Sequence, residues 1–312
     1  MKHLFEAREV SAWIDPTRIE RAERVLSDPR LHPTRIGSSD ARTRRQLAER
    51  FGAEAFDDLR MLAVATDTVL WVDRDAPLGE RECDVLSSED IALVSGSCTL
   101  PFLLAVPQCE MAPSFRRMSV GGALLGVCDA FGRVDVLQAS VAVPSSHHLS
   151  EGLRVAAAAA IAVLGPIDQV TAFEVLEGAM TASVVGQRGL GTLAVGVGTE
   201  AVSLTLIGDG GLAAVTSGLV AWRRQDGAWV EETRLSSDGD EPIIRTILEA
   251  ERPATVSNGL ASIDDSNRRA RLRIAALVDT LRLSARTAQA ESVEAMLRGF
   301  GVDPLSLQHR SG

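Results

Sequence analysis

Between Val10 and the region of Phe131, short apolar runs alternate with helical patterns, and that alternation limits the fold more than any other feature of the chain. Val10 to Ile14 (VSAWI) reads as a strand and Arg18 to Leu26 as a helix. LHPTRIGSS holds a second strand ending near Ser38. DARTRRQLAERFG is a helix closed by Gly52, which suits the left-handed residue past a last turn. EAFDDLRMLA reads as a second short helix, and TDTVLWVD and DIALVSG as further strands. Strands separated by helices of this length pair in parallel, with the helices as crossovers packed on the sheet.

The second half changes character. VDVLQASVAVP is a strand ending at Pro144, and EGLRVAAAAAIAVLG is an Ala-rich helix ended by Gly165. Five strand-like runs follow between Gln169 and Gly218, joined by short glycine-containing turns, which predicts an antiparallel meander. A polar stretch, SSDGDEPIIRT, leads to helices over Ile243 to Glu251 and Asn267 to Thr287. The expected organisation is an α/β parallel-sheet domain over 1–130, then an α+β domain over 131–312 with an open, mostly antiparallel sheet. The C-terminal helices are expected to return to the first domain.

Composition narrows the function. The 312 residues carry a net charge of −10, so no cationic excess exists to displace counterions from a nucleic acid. The four cysteines (Cys83, Cys98, Cys109, Cys128) have no C-x-x-C spacing and no nearby histidine pairs, so buried thiols are expected rather than a metal centre. MKHLFEAREV has acidic residues where a signal peptide has an apolar core, and the longest apolar run, Val155 to Leu164, is short for a membrane span. A cytoplasmic location is expected. The absence of tyrosine removes phenolic acid–base chemistry.

Three longer words point to a family. RRQLAERFGAEAFDDLRML with DTVLWV, AVLGPIDQVTAFE, and LVDTLRLSARTAQ resemble, in order and spacing, segments of the glucose-fructose oxidoreductase / inositol dehydrogenase (Gfo/Idh/MocA) family. The resemblance spans roughly Val10 to Gln289. It implies a Rossmann-like first domain for NAD or NADP, and an open sheet that walls the substrate cleft and often joins subunits.

The functional positions depart from that pattern. Counting DPTRIE against a G-x-G-x-x-G turn puts Asp15, Thr17 and Glu20 at the glycine places. The glycines serve a tight turn, backbone approach to pyrophosphate and close helix–strand packing, so three side chains crowd the space. Asp15 and Glu20 also bring negative charge to a helix end that favours anions. The same residues read as ordinary helix-start chemistry, with Asp15 as cap and Pro16 in the first turn. Ser38 falls where the resemblance puts an acidic ribose ligand. Followed by Arg42, Arg44 and Arg45, it suits a 2′-phosphate, or else Ser38 or Ser39 caps the next helix. In QCEMAP, Met111 takes the place of the family's catalytic lysine, and a thioether shuttles no proton. The family's His and Asp fall on Val155 and Ala158, neither of which titrates. GLGTLA (189–194) matches a dinucleotide fingerprint in letters only, because it lies between strands; IGDGG (207–211) reads as a hairpin turn.

The expectation is therefore a pseudoenzyme. An oxidoreductase fold without cofactor, metal or catalytic residue would serve as a binding or assembly subunit. The alternative is an NAD(P)-dependent oxidoreductase for a sugar or polyol with a rearranged site. Arg116 and Arg117, and His147 and His148, are the candidate ligand-cleft residues, against the simpler readings of a solvated basic pair and an exposed polar loop. Period-two alternation puts Leu193, Val195 and Val197, and Val202, Leu204 and Leu206, on one sheet face. The opposite face is small and uncharged, which suggests pairing with a second copy or a related oxidoreductase subunit.

Overall fold

The computed structural model describes residues 7–74, 78–96, 98–176, 178–251 and 265–307. In chain order the first elements are β1 (Arg8–Ile14), α1 (Ile19–Leu26), β2 (Leu31–Gly37), α2 (Ala41–Phe51), β3 (Glu54–Phe56), α3 (Leu59–Ala65) and β4 (Val69–Asp73). Next come α4 (Glu80–Ser88), β5 (Ala92–Ser95), α5 (Leu100–Ala105), β6 (Glu110–Met111), α6 (Ser119–Phe131), β7 (Val134–Val143) and α7 (Leu149–Leu164). A run of strands follows: β8 (Ile167–Leu176), β9 (Ala179–Gly186), β10 (Gly189–Val197), β11 (Ala201–Gly208), β12 (Gly211–Thr216), β13 (Leu219–Arg223) and β14 (Trp229–Arg234). The chain closes with α8 (Glu241–Glu249), α9 (Asp265–Thr287), β15 (Ala290–Ser292), α10 (Val293–Gly299) and a 3-10 turn, Pro304–Leu307. Two compact units result: Met1–Ser114 with Gly239–Arg268, and Phe115–Asp238 with Arg269–Gly312.

The first unit is a parallel sheet in the order β3-β2-β1-β4-β5-β6. Parallel pairing demands crossover connections, and α1 to α5 provide them. Val10, Ala12 and Ile14 of β1 and Val69 and Trp71 of β4 form the core with Ile243, Ile244 and Ile247 of α8, so a late helix completes an early core. Ion pairs tie it there, Arg24–Asp240 at 2.7 Å and Arg30–Glu241 at 2.6 Å, and Arg8 donates to the carbonyls of Leu248 and Ala250. Gly52 caps α2 with φ +66°, as the sequence predicts. Glu54–Phe56, expected to be helical, is instead a third strand beside β2, and α3 starts only after Asp58, whose carboxylate accepts from Arg60 N at 2.8 Å. That cap sets the helix start two residues beyond the strand.

In the second unit the sheet runs β14-β13-β12-β11-β7-β10-β9-β8-β15. The expected meander is split, because β7 lies between β10 and β11 and pairs in parallel with β10. Elsewhere the pairing is antiparallel. The alternation along β10 and β11 stands: Leu193, Val195, Val202, Leu204 and Leu206 are buried, whereas Thr192 and Ser203 are exposed. Val197, at the strand end, is 51% exposed.

Helix α7 packs on β7 and β10. Its small residues let it sit close: a Cβ added at Gly152 would lie 2.7 Å from Val195 and 2.9 Å from Val143. Ala156, Ala157, Ala159 and Ala160 are fully buried, and Val155 and Ala158 nearly so. Among the described residues no helix is long and apolar enough to cross a membrane. An Ala158→Asp change should destabilise the fold by about 2–4 kcal/mol, since it buries an unpaired carboxylate. Urea unfolding checks this, and an unchanged midpoint would contradict the packing described.

Candidate functional site

In the first unit the strand order turns at β1, with β2 on one side and β4 on the other. Ligands of open parallel sheets lie outside the carboxyl ends of the strands at such a switch point. Here those ends carry Asp15 and Asp73. The Asp15 N–H donates to the Asp73 carbonyl at 2.9 Å, which locks the two strand ends together. From the first turn of α1, Arg21 reaches across and binds both carboxylate oxygens of Asp73, with Nε to Oδ2 at 3.0 Å. Side-chain exposure is 11% for Arg21 and 2% for Asp73, so this bidentate pair is screened from water.

Asp15 behaves as a cap. Its carboxylate accepts from Thr17 N at 3.0 Å and Thr17 Oγ1 at 2.8 Å, and Pro16 opens the 3-10 turn Pro16–Arg18. Thr17 and Glu20 are exposed and Asp15 is half-buried, so none of the three is wedged between helix and sheet.

At the end of β2, Ser38 is fully buried. Neither it nor Ser39 caps α2. Asp40 does, accepting from Thr43 N at 2.7 Å, and that bond holds its carboxyl below the usual range. Ser38 Oγ accepts from Asp40 N at 3.2 Å, and Arg44 donates to the Ser38 carbonyl at 2.9 Å. Arg42 and Arg45 are exposed on α2. Met111 ends β6, buried beside Ser95. Lys2 is the only lysine in the chain, so among the described residues there is no lysine. Nearby, Cys98 and Cys109 are buried with sulfurs 3.8 Å apart. Burial pushes the Cys128 thiol up to about 11 and raises that of Cys83, which keeps both as inert thiols.

The remaining candidates lie in the second unit. Arg116 and Arg117 sit on the 3-10 turn Phe115–Arg117, which packs against α7; Arg116 is exposed and Arg117 half-buried. His147 and His148 sit on the 3-10 turn Ser146–His148 that runs directly into α7. His147 is exposed, while His148 is half-buried with Nδ1 2.9 Å from Ser145 Oγ. Both turns thus adjoin one helix. Sequence reasoning missed Arg154, 6% exposed within α7 beside Val155, and it missed the Arg21–Asp73 pair. An arginine in a first helical turn and an aspartate closing the WVD strand were the available signal for that pair. GLGTLA lies in β10, and IGDGG spans the β11–β12 hairpin, as expected.

No family model matches the sequence, and no curated protein does. Solved structures match over nearly the whole chain. The WlbA dehydrogenase from Bordetella pertussis, in complex with NADH and UDP-GlcNAcA, is 14% identical with a TM-score of 0.64, covering 91% of this chain and 99% of that one. An oxidoreductase from Agrobacterium radiobacter, in complex with NAD+, L-tartaric acid and magnesium, is 13% identical with a TM-score of 0.66, covering 92% and 99%. KijD10, a 3-ketoreductase from Actinomadura kijaniata in complex with NADP, is 18% identical with a TM-score of 0.67, covering 89% and 98%. The fold is that of these oxidoreductases: a Rossmann-like parallel sheet followed by a mostly antiparallel one. All three were crystallised with a nicotinamide dinucleotide, which overturns the expectation of a chain without a cofactor.

Removing Asp73 takes the bidentate carboxylate from a nearly buried guanidinium. Asp73→Ala should cost about 3 kcal/mol in equilibrium unfolding, whereas Arg24→Ala, which breaks an exposed pair, should cost no more than about 1 kcal/mol. Equal costs would remove the distinction drawn between the two pairs.

Proposed function

We propose that this chain binds a nicotinamide dinucleotide at the carboxyl edge of its parallel sheet and acts as an oxidoreductase on a sugar or similar polyol. The observation that carries the reading is Arg21, fixed by Asp73 over the β1–β4 switch point, in a fold whose neighbours were crystallised with NADH, NAD+ and NADP. The donor set fits the cofactor by other means than glycines. The Arg21–Asp73 pair fixes the start of α1 against the end of β4, at the edge where glycine-based sites use a turn of backbone N–H groups. At the adenosine end, Asp40 is committed to Thr43, and Ser38 is uncharged. With Arg42 and Arg45 exposed nearby, that chemistry favours a 2′-phosphate, hence NADP over NAD.

When bound, the dinucleotide supplies the hydride acceptor or donor. The chain's part is positioning and proton transfer. Val155 and Ala158 do neither; within the second unit His148, half-buried with Nδ1 2.9 Å from Ser145 Oγ, has the chemistry that proton transfer needs. Arg116 and Arg117 suit an anionic substituent. UDP-GlcNAcA in the WlbA complex and tartaric acid in the Agrobacterium complex support a polyhydroxylated, anionic substrate class.

Fluorescence titration with NADPH, NADH, NADP and NAD tests the cofactor. NADPH should bind about tenfold more tightly than NADH, and Arg21→Gln should weaken both by about tenfold. No binding of any of the four to the folded chain overturns the reading. His148→Ala should keep nucleotide affinity and lose turnover.

The open face of the second sheet serves, in the same proposal, as the contact with a second copy or a related subunit. Leu190, Ile207 and Leu212 are exposed there among uncharged Thr192 and Ser203, a surface that water alone covers poorly. Light scattering at micromolar concentration should give a dimer mass that Thr205→Arg halves. A monomeric wild type leaves only a heteromeric partner.

A further inference from the structure

At the C-terminal end of α7, within the second unit, a cavity of about 330 Å³ opens between the start of β8, α9, α10 and the turn Pro304–Leu307. It stands about 20 Å along α7 from His147 and His148, at 1.5 Å per residue, and so is separate from the site proposed above. Ile161, Ile167, Leu277, Leu297 and Leu305 give it an apolar side, and Asp168, Gln187, Arg273 and Glu294 line the rest. Its volume is at the small end of the range for small-molecule sites.

The charges are unevenly placed. Asp168 and Glu294 are exposed, and Glu294 is already paired with Arg298. Arg273 is set back from solvent. It donates to the Leu307 carbonyl, and among the described residues no carboxylate pairs with it. Other part-buried arginines do have carboxylates: Arg21 has Asp73, Arg74 has Glu82 and Arg35 has Asp67. Burial, with the neighbouring Arg269, lowers the proton affinity of the Arg273 guanidinium. A desolvated guanidinium facing an apolar cavity is stabilised by an anion that brings its own apolar body. The carboxylates of Asp168 and Glu294 oppose polyanions, so phosphates are disfavoured and a single negative charge is selected.

We infer that this cavity binds a monocarboxylate with a medium-length apolar chain, its carboxylate on Arg273 and its chain along Ile161, Leu277 and Leu297. Calorimetric titration of the full chain with octanoate, octylammonium and octanol tests this. Octanoate should bind in the submillimolar range and the other two at least about tenfold more weakly. Arg273→Gln should weaken octanoate about tenfold without improving octanol. Leu305, 69% exposed, can be changed without touching the core. Leu305→Glu should also weaken octanoate while leaving the melting temperature in place, which keeps the test valid if Arg273→Gln fails to fold. Octanoate affinity unchanged in either folded variant, octylammonium binding as tightly as octanoate, or no octanoate binding at millimolar concentration would each overturn the inference.

Discussion

A parallel sheet must be covered on both faces, because none of its strands can end in a hairpin and its interior strands present apolar side chains in both directions. Everything in the first unit follows from that requirement. All five residues of β1 from Val10 to Ile14 are buried, whichever way their side chains alternate. The helices interleaved with the strands do not finish the task, and α8 contributes three isoleucines to the same core. Because faces are sealed by helices, polar chemistry is confined to the strand ends.

That confinement explains the carboxyl edge. Asp15 and Asp73 terminate neighbouring strands, and each meets a different demand. Asp15 satisfies orphan donors of the turn that follows it, whereas the buried Asp73 carboxylate pairs with Arg21 through both oxygens. The switch point of this sheet therefore carries an ion pair and no glycine turn.

Local chemistry was legible in the sequence. Gly52, the Asp15 cap, the burial of the alanine helix and the two-residue alternation along β10 and β11 all depend on residues a few positions apart. What escaped depends on distance. The insertion of β7 between β10 and β11, and the pairing of Arg21 with Asp73 fifty-two positions away, leave no periodic trace. Glu54–Phe56 was misread because three residues carry too little pattern against a strong helical neighbour, and only Asp58 marks the true start. The cofactor expectation failed for a related reason. It was drawn from a handful of positions, whereas the finding against it comes from a fold shared with the dinucleotide complexes over about nine-tenths of the chain.

The late arrival of α8 has a consequence for how the protein is made. Ile243, Ile244 and Ile247 lie more than a hundred residues beyond Ser114, where the first stretch of the first unit ends. At translation rates of about 5–20 residues per second, the ribosome needs roughly 7–25 s to deliver that helix after the last sheet strand has been synthesised. Throughout that interval one face of the nascent sheet lacks part of its cover, while much of the second unit is being synthesised. The first unit is thus completed only after most of the second has been synthesised, although its sheet strands come first in the chain.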